Sequence, residues 1–264
     1  MTGLQFRGER VFLPIDIGNS TILLGVYDQN HLLLHGRITT QKEKNSSFYG
    51  PELLNILSPF PKEKIGKIRR CLISSVVPRL DPVFKESLEE FLGLTPIFLD
   101  PLNSGMPIKT LHPQEVGADR IANAVAAYEL YSGPVVVVDF GTATTFDVIS
   151  KEGEYLGGLI TPGIETSAQA MWEKAEKLYA VEITNPESII GRDTTTCMQA
   201  GIFYGAVSQM EGIISRLREK FEERLKVVLT GGLCHFMAQN SKLIDEVNPL
   251  LTLEGLRIIS ERMG

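Results

Sequence analysis

Twice in this chain, 123 positions apart, an apolar run ends in an acid, a hydrophobic residue and a glycine, then gives way to hydroxyl residues and a second apolar run. The first copy runs from Val11-Phe-Leu-Pro-Ile15 through Asp16-Ile-Gly-Asn-Ser-Thr21 to Ile22–Tyr27. The second runs from Val135–Val138 through Asp139-Phe-Gly-Thr-Ala-Thr-Thr145 to Phe146–Ser150. An offset close to half of the 264 residues points to an internal duplication, with two like domains facing each other. The expected division is an N-terminal extension over residues 1–10, a first domain over 11–132 and a second over 133–264.

Each copy reads as strand, tight polar turn, strand. Gly18 and Asn19 are residue types that tolerate left-handed backbone angles. A further turn at Asp28–Asn30 and a strand over His31–Thr39 complete a three-stranded meander. Helical spacing is expected over Arg79–Leu92, Val116–Tyr131, Gly163–Lys177, Thr194–Phe221 and Leu253–Arg262, and a buried strand over Leu225–Leu229. Ala200, Gly201, Gly205 and Ala206 imply that the longest helix packs closely on a neighbour. Residues 100–115 form one long irregular stretch, read as the lead-in to a site.

Composition removes several classes. A net charge of −6 leaves no bulk basic surface for nucleic acid. Runs such as Val135–Val138 fall far short of the roughly 20 apolar residues that span a bilayer, and the N-terminus lacks a signal-peptide core, so a cytoplasmic protein without membrane attachment is expected. Cys71, Cys197 and Cys234 are scattered and odd in number, which fits reduced thiols rather than a disulfide framework or a zinc site. Trp172 and the four histidines (31, 35, 112 and 235) form no spaced cluster and read as packing or surface residues.

Three Gly/hydroxyl turns follow strands: Asp16–Thr21, Asp139–Thr145 and Leu229-Thr-Gly-Gly232. Glycine permits close approach of backbone to phosphate, hydroxyls and N–H groups donate to its oxygens, and an acid at the strand end can hold Mg²⁺. Any one of them could equally be an ordinary hairpin turn. No GxxxxGK[ST] phosphate loop occurs. Glu115-Val-Gly-Ala-Asp-Arg-Ile121 opens an Ala-rich helix. Asp119 there could accept a proton and Arg120 could clamp an anion, or the pair could be a dipole-complementing acid and a surface cation. Ile190-Gly-Arg-Asp-Thr194 reads as a helix cap, which does not prevent Thr194 from facing a ligand.

The ordered set Asp16-Ile-Gly-Asn, Glu115-Val-Gly-Ala-Asp-Arg, Asp139-Phe-Gly-Thr-Ala-Thr-Thr, Gly157-Gly-Leu-Ile-Thr-Pro-Gly163, Ile190-Gly-Arg-Asp-Thr, Leu229-Thr-Gly-Gly and Leu253-Glu-Gly-Leu-Arg resembles type III pantothenate kinase over about residues 11–262. The resemblance implies an α/β architecture with a duplicated ribonuclease-H-like fold, the fold of actin, Hsp70 and the acetate and sugar kinases. It implies ATP-dependent phosphorylation of pantothenate, the first step of coenzyme A synthesis, by a homodimer with the pantothenate site near its interface. Carried over by residue, Asp16 would orient Mg²⁺ and the ATP phosphates, with Ile17, Gly18, Asn19, Ser20, Thr21, Ile22 and Leu23 forming the first phosphate hairpin and Thr142 touching ATP. Asp119 would be the general base; Gly117, Ala118, Asp119, Arg120 and Thr194 would bind pantothenate; and Asp139 would ligate a monovalent cation, K⁺ or NH₄⁺. Thr110 stands where the family usually has an aromatic residue, and Ser20 where it usually has threonine. A transcriptional accessory factor of the same family and a kinase for another small alcohol are the alternatives.

Overall fold

The computed structural model describes residues 11–60 and 65–263, so the expected extension over residues 1–10 lies outside the described residues. The chain divides into two compact units. The first takes in the residues up to Pro107, Leu111–Ala126 and Leu251 onward; the second takes in Ile108–Thr110 and Ala127–Leu250. This differs from a boundary at 132/133. The division falls within a helix, and the helix at 251–262 belongs to the first unit.

In the first unit, β1 (Val11–Ile17), β2 (Thr21–Asp28), β3 (His31–Thr39), β4 (Ile68–Ser75) and β5 (Ile97–Phe98) form a sheet in the order β3-β2-β1-β4-β5. β1 runs antiparallel to β2 and parallel to β4. Alternation along β1 sends Leu13, Ile15 and Ile17 to one face, where Ile73 joins them beneath α1 (Ser46–Leu57) and α2 (Asp81–Leu92). Tyr49 of α1 and Phe84 of α2 meet there with ring centroids 4.8 Å apart. No helical spacing was expected over α1, where Pro51 interrupts the pattern.

The other face of this sheet is covered by α7 (Leu251–Arg262), nine of whose residues are buried, alongside the start of α3 (Ala118–Tyr131). Thr252 Oγ1 donates to Asn123 Oδ1 at 2.8 Å, a buried bond that ties α7 to α3. Gly255 lies against the Ala122 carbonyl so closely that a Cβ would overlap it. The Tyr27 hydroxyl donates to Glu254 Oε1 at 3.0 Å, and Arg257 bonds Glu254, Glu261 and Asn30. Burial, backed by the Glu254 carboxylate, pushes the Tyr27 phenol well above its ordinary value of 10.

The second unit repeats the plan. β6 (Val135–Phe140), β7 (Ala143–Ile149), β8 (Tyr155–Pro162), β9 (Lys226–Gly231) and β10 (Glu246–Val247) lie in the order β10-β9-β6-β7-β8. Counted from the first strand of each unit, both sheets read third, second, first, fourth, fifth. The first strand is antiparallel to the second and parallel to the fourth in both. One face carries Val136, Val138, Phe146, Val227 and Leu229 against α4 (Ile164–Lys174), α5 (Thr194–Arg218) and α6 (Cys234–Ala238). The long helix departs from expectation in detail. Ala200 is buried, but Gly201 and Gly205 are exposed, with nothing beside their α-carbons, and line an open cavity of about 310 Å³ between α4 and α5. Trp172 packs against this core, while His31, His35, His112 and His235 are exposed. Cys71 and Cys234 are buried and Cys197 is exposed. No helix among the described residues is long and apolar enough to cross a membrane.

Two outcomes follow for stability. Gly255→Ala must push α7 away from α3 and is expected to destabilise the protein by about 2–3 kcal/mol in urea unfolding. The raised Tyr27 pKa means that the folded chain keeps this proton longer than the unfolded one. Its contribution is complete below about pH 10 and is lost as the pH rises beyond it. Tyr27→Phe is therefore expected to lower the melting temperature at neutral pH and to flatten its decline above about pH 10.

Candidate active site

In the first unit the acid second from the end of β1, Asp16, is half-buried at the carboxyl end of two parallel strands, the place where open α/β sheets bind ligands. The turn that follows is held from three directions. Gly18 N–H donates to Thr21 O (3.1 Å), Thr40 Oγ1 donates to Gly18 O (2.7 Å), and Thr40 N–H donates to Ser20 O (3.0 Å). Neither Gly18 nor Asn19 has a positive φ; the positive φ falls at Gln29, in the β2–β3 turn. Gly18 is needed for space instead, because a Cβ there would stand 2.8 Å from Thr21 O. Ile17, Ile22 and Leu23 bury their side chains in the sheet, so they can offer a ligand only main-chain atoms, whereas Asn19, Ser20 and Thr21 are exposed. Lys42, which the sequence pattern did not single out, reaches Asn19 Oδ1 at 2.7 Å and sets a cation over the hairpin. Only the β2–β3 register, which returns the chain beside the turn, could have revealed it.

Asp119 lies in the first turn of α3, and its Oδ1 accepts the Arg120 N–H at 2.8 Å. Gly117 makes room for that carboxylate, since a Cβ there would be 2.5 Å from Asp119 Oδ1. The same Cβ position is 3.7 Å from Val76 Cγ1, and Val76 N–H donates to Ile17 O at 3.1 Å. Val76 therefore stands at the end of β1 and beside Gly117, so Asp16, its hairpin and Asp119 all lie in the first unit. The irregular stretch before it contains two single 3₁₀ turns, Pro101–Asn103 and Pro113–Glu115.

The second unit holds Asp139, Thr142 and Thr194. Asp139 is again second from the end of its strand, and Gly231, at φ +86°, packs closely against it. A Cβ on Gly231 would stand 2.5 Å from Asp139 Oδ1 and 2.6 Å from Phe140 O. The Thr142 carbonyl accepts Gly163 N–H (3.1 Å) and Thr166 Oγ1 (2.7 Å), which fixes the turn to the start of α4. Thr194 is the first residue of α5, behind a capping box in which Asp193 Oδ1 accepts Thr196 N–H (2.8 Å) and Thr196 Oγ1 accepts Asp193 N–H (3.2 Å). That backbone bond holds the Asp193 carboxyl below the usual carboxylate range.

Asp16 and Asp139 each set one carboxylate near the carboxyl end of a strand. Among the described residues no group of three or more His, Cys, Asp or Glu could hold a metal ion. Mg²⁺ takes one or two carboxylates and otherwise keeps its waters and the substrate phosphates. Beside Gly231 the Asp139 carboxylate lies near the Phe140 carbonyl, and oxygen donors of this kind are the ones hard cations prefer.

A duplicated sheet with an acid at the same strand end in each half is the architecture of the actin, Hsp70 and sugar-kinase fold, and solved structures agree. A Campylobacter jejuni protein described as a Baf family transcriptional activator superposes with a TM-score of 0.59 at 23% identity, covering 95% of this chain and 98% of its own. Component A of the (R)-2-hydroxyglutaryl-CoA dehydratase of Acidaminococcus fermentans gives 0.53 at 12%, covering 96% and 99%. At these identities the likeness concerns the fold alone. The sequence is more specific: residues 12–216 match the family described as Type III pantothenate kinase. Proteins of that name from Moorella thermoacetica and Geobacter sulfurreducens are 46% and 44% identical over 253 residues, in each case 96% of this chain and 99% of the relative. The one from Bacillus cytotoxicus is 43% identical over 249 residues, 94% and 95% of the two chains. The chain belongs to the type III pantothenate kinase family.

Gly231→Ala forces a side chain into a backbone conformation suited to glycine and onto Asp139. It is expected to cost about 1–3 kcal/mol in chemical unfolding and to lower turnover beyond what the lost stability explains.

Proposed function

We propose that this protein transfers the γ-phosphoryl group of ATP to the 4′-hydroxyl of pantothenate, with Asp119 as general base and Asp16 holding the Mg²⁺ that accompanies the phosphates. The carrying observation is that Val76, bonded through its N–H to the end of β1, also borders Gly117, so the Asp16 strand end and the Asp119 helix start flank the same residue within the first unit. Phosphoryl transfer asks mainly for positioning and charge neutralisation, with a carboxylate to accept the proton of the attacking hydroxyl. Gly18–Thr21 supplies main-chain and hydroxyl donors for phosphate oxygens, with Ile17, Ile22 and Leu23 as its buried anchors. Gly117 and Ala118 present N–H groups where the α3 dipole favours anions, and Arg120 offers a fork to the pantothenate carboxylate. Thr142 contacts ATP, and Thr194, at the start of α5, contacts pantothenate. Asp139, near the carboxyl end of β6, takes the monovalent cation, K⁺ or NH₄⁺. When bound, the two cations neutralise charge on the phosphates; the chain's part is to orient them and to move the proton. The working form is a cytoplasmic homodimer.

Asp119→Asn is expected to reduce turnover by about 10²–10⁴-fold while calorimetry still detects nucleotide and pantothenate binding. Turnover within a few-fold of the parent would remove Asp119 as the base. Asp139→Asn is expected to abolish stimulation by K⁺ and NH₄⁺ in a coupled ADP-release assay. Light scattering is expected to give about twice the 29.2 kDa chain mass. The same assay, run with other small alcohols and with none, separates pantothenate phosphorylation from the two alternatives.

A further inference from the structure

The parallel ladder at the heart of each unit pairs the site acid with a hydroxyl. Asp16 of β1 is in register with Ser74 of β4, and Asp139 of β6 with Thr230 of β9. Register partners on parallel strands point to the same face, with their strands about 4.8 Å apart, so a short hydroxyl side chain can reach the neighbouring carboxylate. Both hydroxyl residues are sealed from solvent, Ser74 at 0% exposure and Thr230 at 2%. Sequence alone does not reveal this pairing, because 58 residues separate Asp16 from Ser74.

Ser74 is the more informative of the two. Its Oγ is buried and has no hydrogen-bond partner among the described residues. The next residue, on the opposite face, shows what a satisfied hydroxyl looks like here: Ser75 Oγ donates to Asp81 Oδ1 at 2.5 Å. A buried hydroxyl without an acceptor destabilises a fold, and alanine would fill the same space without that penalty. Serine at this position is therefore accounted for by a state in which its proton has an acceptor, and the acceptor that the register supplies is the Asp16 carboxylate.

We propose that Ser74 is a positioning residue for Asp16: when the nucleotide and its Mg²⁺ are bound, the Ser74 hydroxyl donates to the Asp16 carboxylate and holds it ionised and oriented toward the phosphate hairpin. Residues that bond to metal-holding carboxylates commonly set ligand orientation in this way. The proposal rests on the reading of Asp16 as the Mg²⁺-holding acid. Thr230 is the corresponding hydroxyl beside Asp139, so the duplication carries the same device in both halves.

The test uses the full chain as Ser74→Ala, Ser74→Thr and Asp16→Asn. Melting without ligand is followed by calorimetric titration of a non-hydrolysable ATP analogue across a Mg²⁺ series. Ser74→Ala is expected to melt at the parent temperature or higher, because it removes an unsatisfied group. It is also expected to need about tenfold more Mg²⁺ for half-maximal nucleotide binding, the scale of a lost bond to a charged group. KM for pantothenate is expected to stay within about twofold, since the change lies on the nucleotide side. Ser74→Thr, which installs the residue used in the second unit, is expected to restore most of the Mg²⁺ response. An unchanged Mg²⁺ requirement in Ser74→Ala overturns the proposal. So does a lower melting temperature without ligand, which would show the hydroxyl already bonded, for example to a buried water. Asp16→Asn separates the two levels: if it leaves the Mg²⁺ dependence of nucleotide binding intact, the reading of Asp16 itself fails.

Discussion

The parallel ladder between the first and fourth strands of each unit is the constraint on which the rest depends. It brings two strand ends together and leaves their carboxyl ends open, so the residue after each strand has nowhere to go but outward. In the first unit β1 and β4 end at Ile17 and Ser75, and Val76 turns back to bond Ile17. That N–H closes the end of β4 onto the end of β1, just before the hairpin. In the second unit β6 and β9 end at Phe140 and Gly231, and Gly232 N–H bonds Phe140 O at 3.1 Å. The same backbone closure serves both halves, while the residues around it differ.

Duplication with divergence explains why the chain needs two versions of one device. The first unit surrounds its acid with a short hairpin pinned by Thr40, and the second surrounds its acid with glycines. Gly163 sits where a Cβ would overlap the carbonyls of Gly141 and Thr142, and Gly231 abuts Asp139. The first acid is bordered by an exposed turn, the second by backbone packed too closely for side chains. A family assignment from relatives at 43–46% identity says that the chain is a kinase of pantothenate type; the geometry says how two copies of one sheet were made into unequal partners.

Much of this was legible in the sequence because it is local. The meander, the acid before glycine and the Asp193 cap are written in consecutive residues, and the structure places each of them where the pattern indicates. What was not legible depends on distant residues. Helix α1 escaped because Pro51 breaks its period, although Tyr49, Leu53 and Leu57 bury a clean face. Gly201 and Gly205 look like packing residues by type, but within the described chain nothing lies beside them. Ser74, Lys42 and the place of α7 follow from strand register and from a helix returning across a sheet, neither of which leaves a periodic signature. The sequence motifs therefore locate the acids better than they locate what surrounds them.

The return of α7 to the first unit has a consequence for biosynthesis. The second unit is nearly continuous in the chain, residues 127–250, whereas the first is assembled from segments on either side of it. The usual order, in which the earlier domain folds first as the chain emerges from the ribosome, is therefore unavailable here. One face of the β1–β5 sheet lacks the cover of α7 until residues 251–262 are made, with Gly25 and Tyr27 waiting for Leu253 and Glu254. During synthesis the half that is translated first is the half that is finished last, and the strands flanking the Asp16 hairpin are the ones that wait longest for their cover.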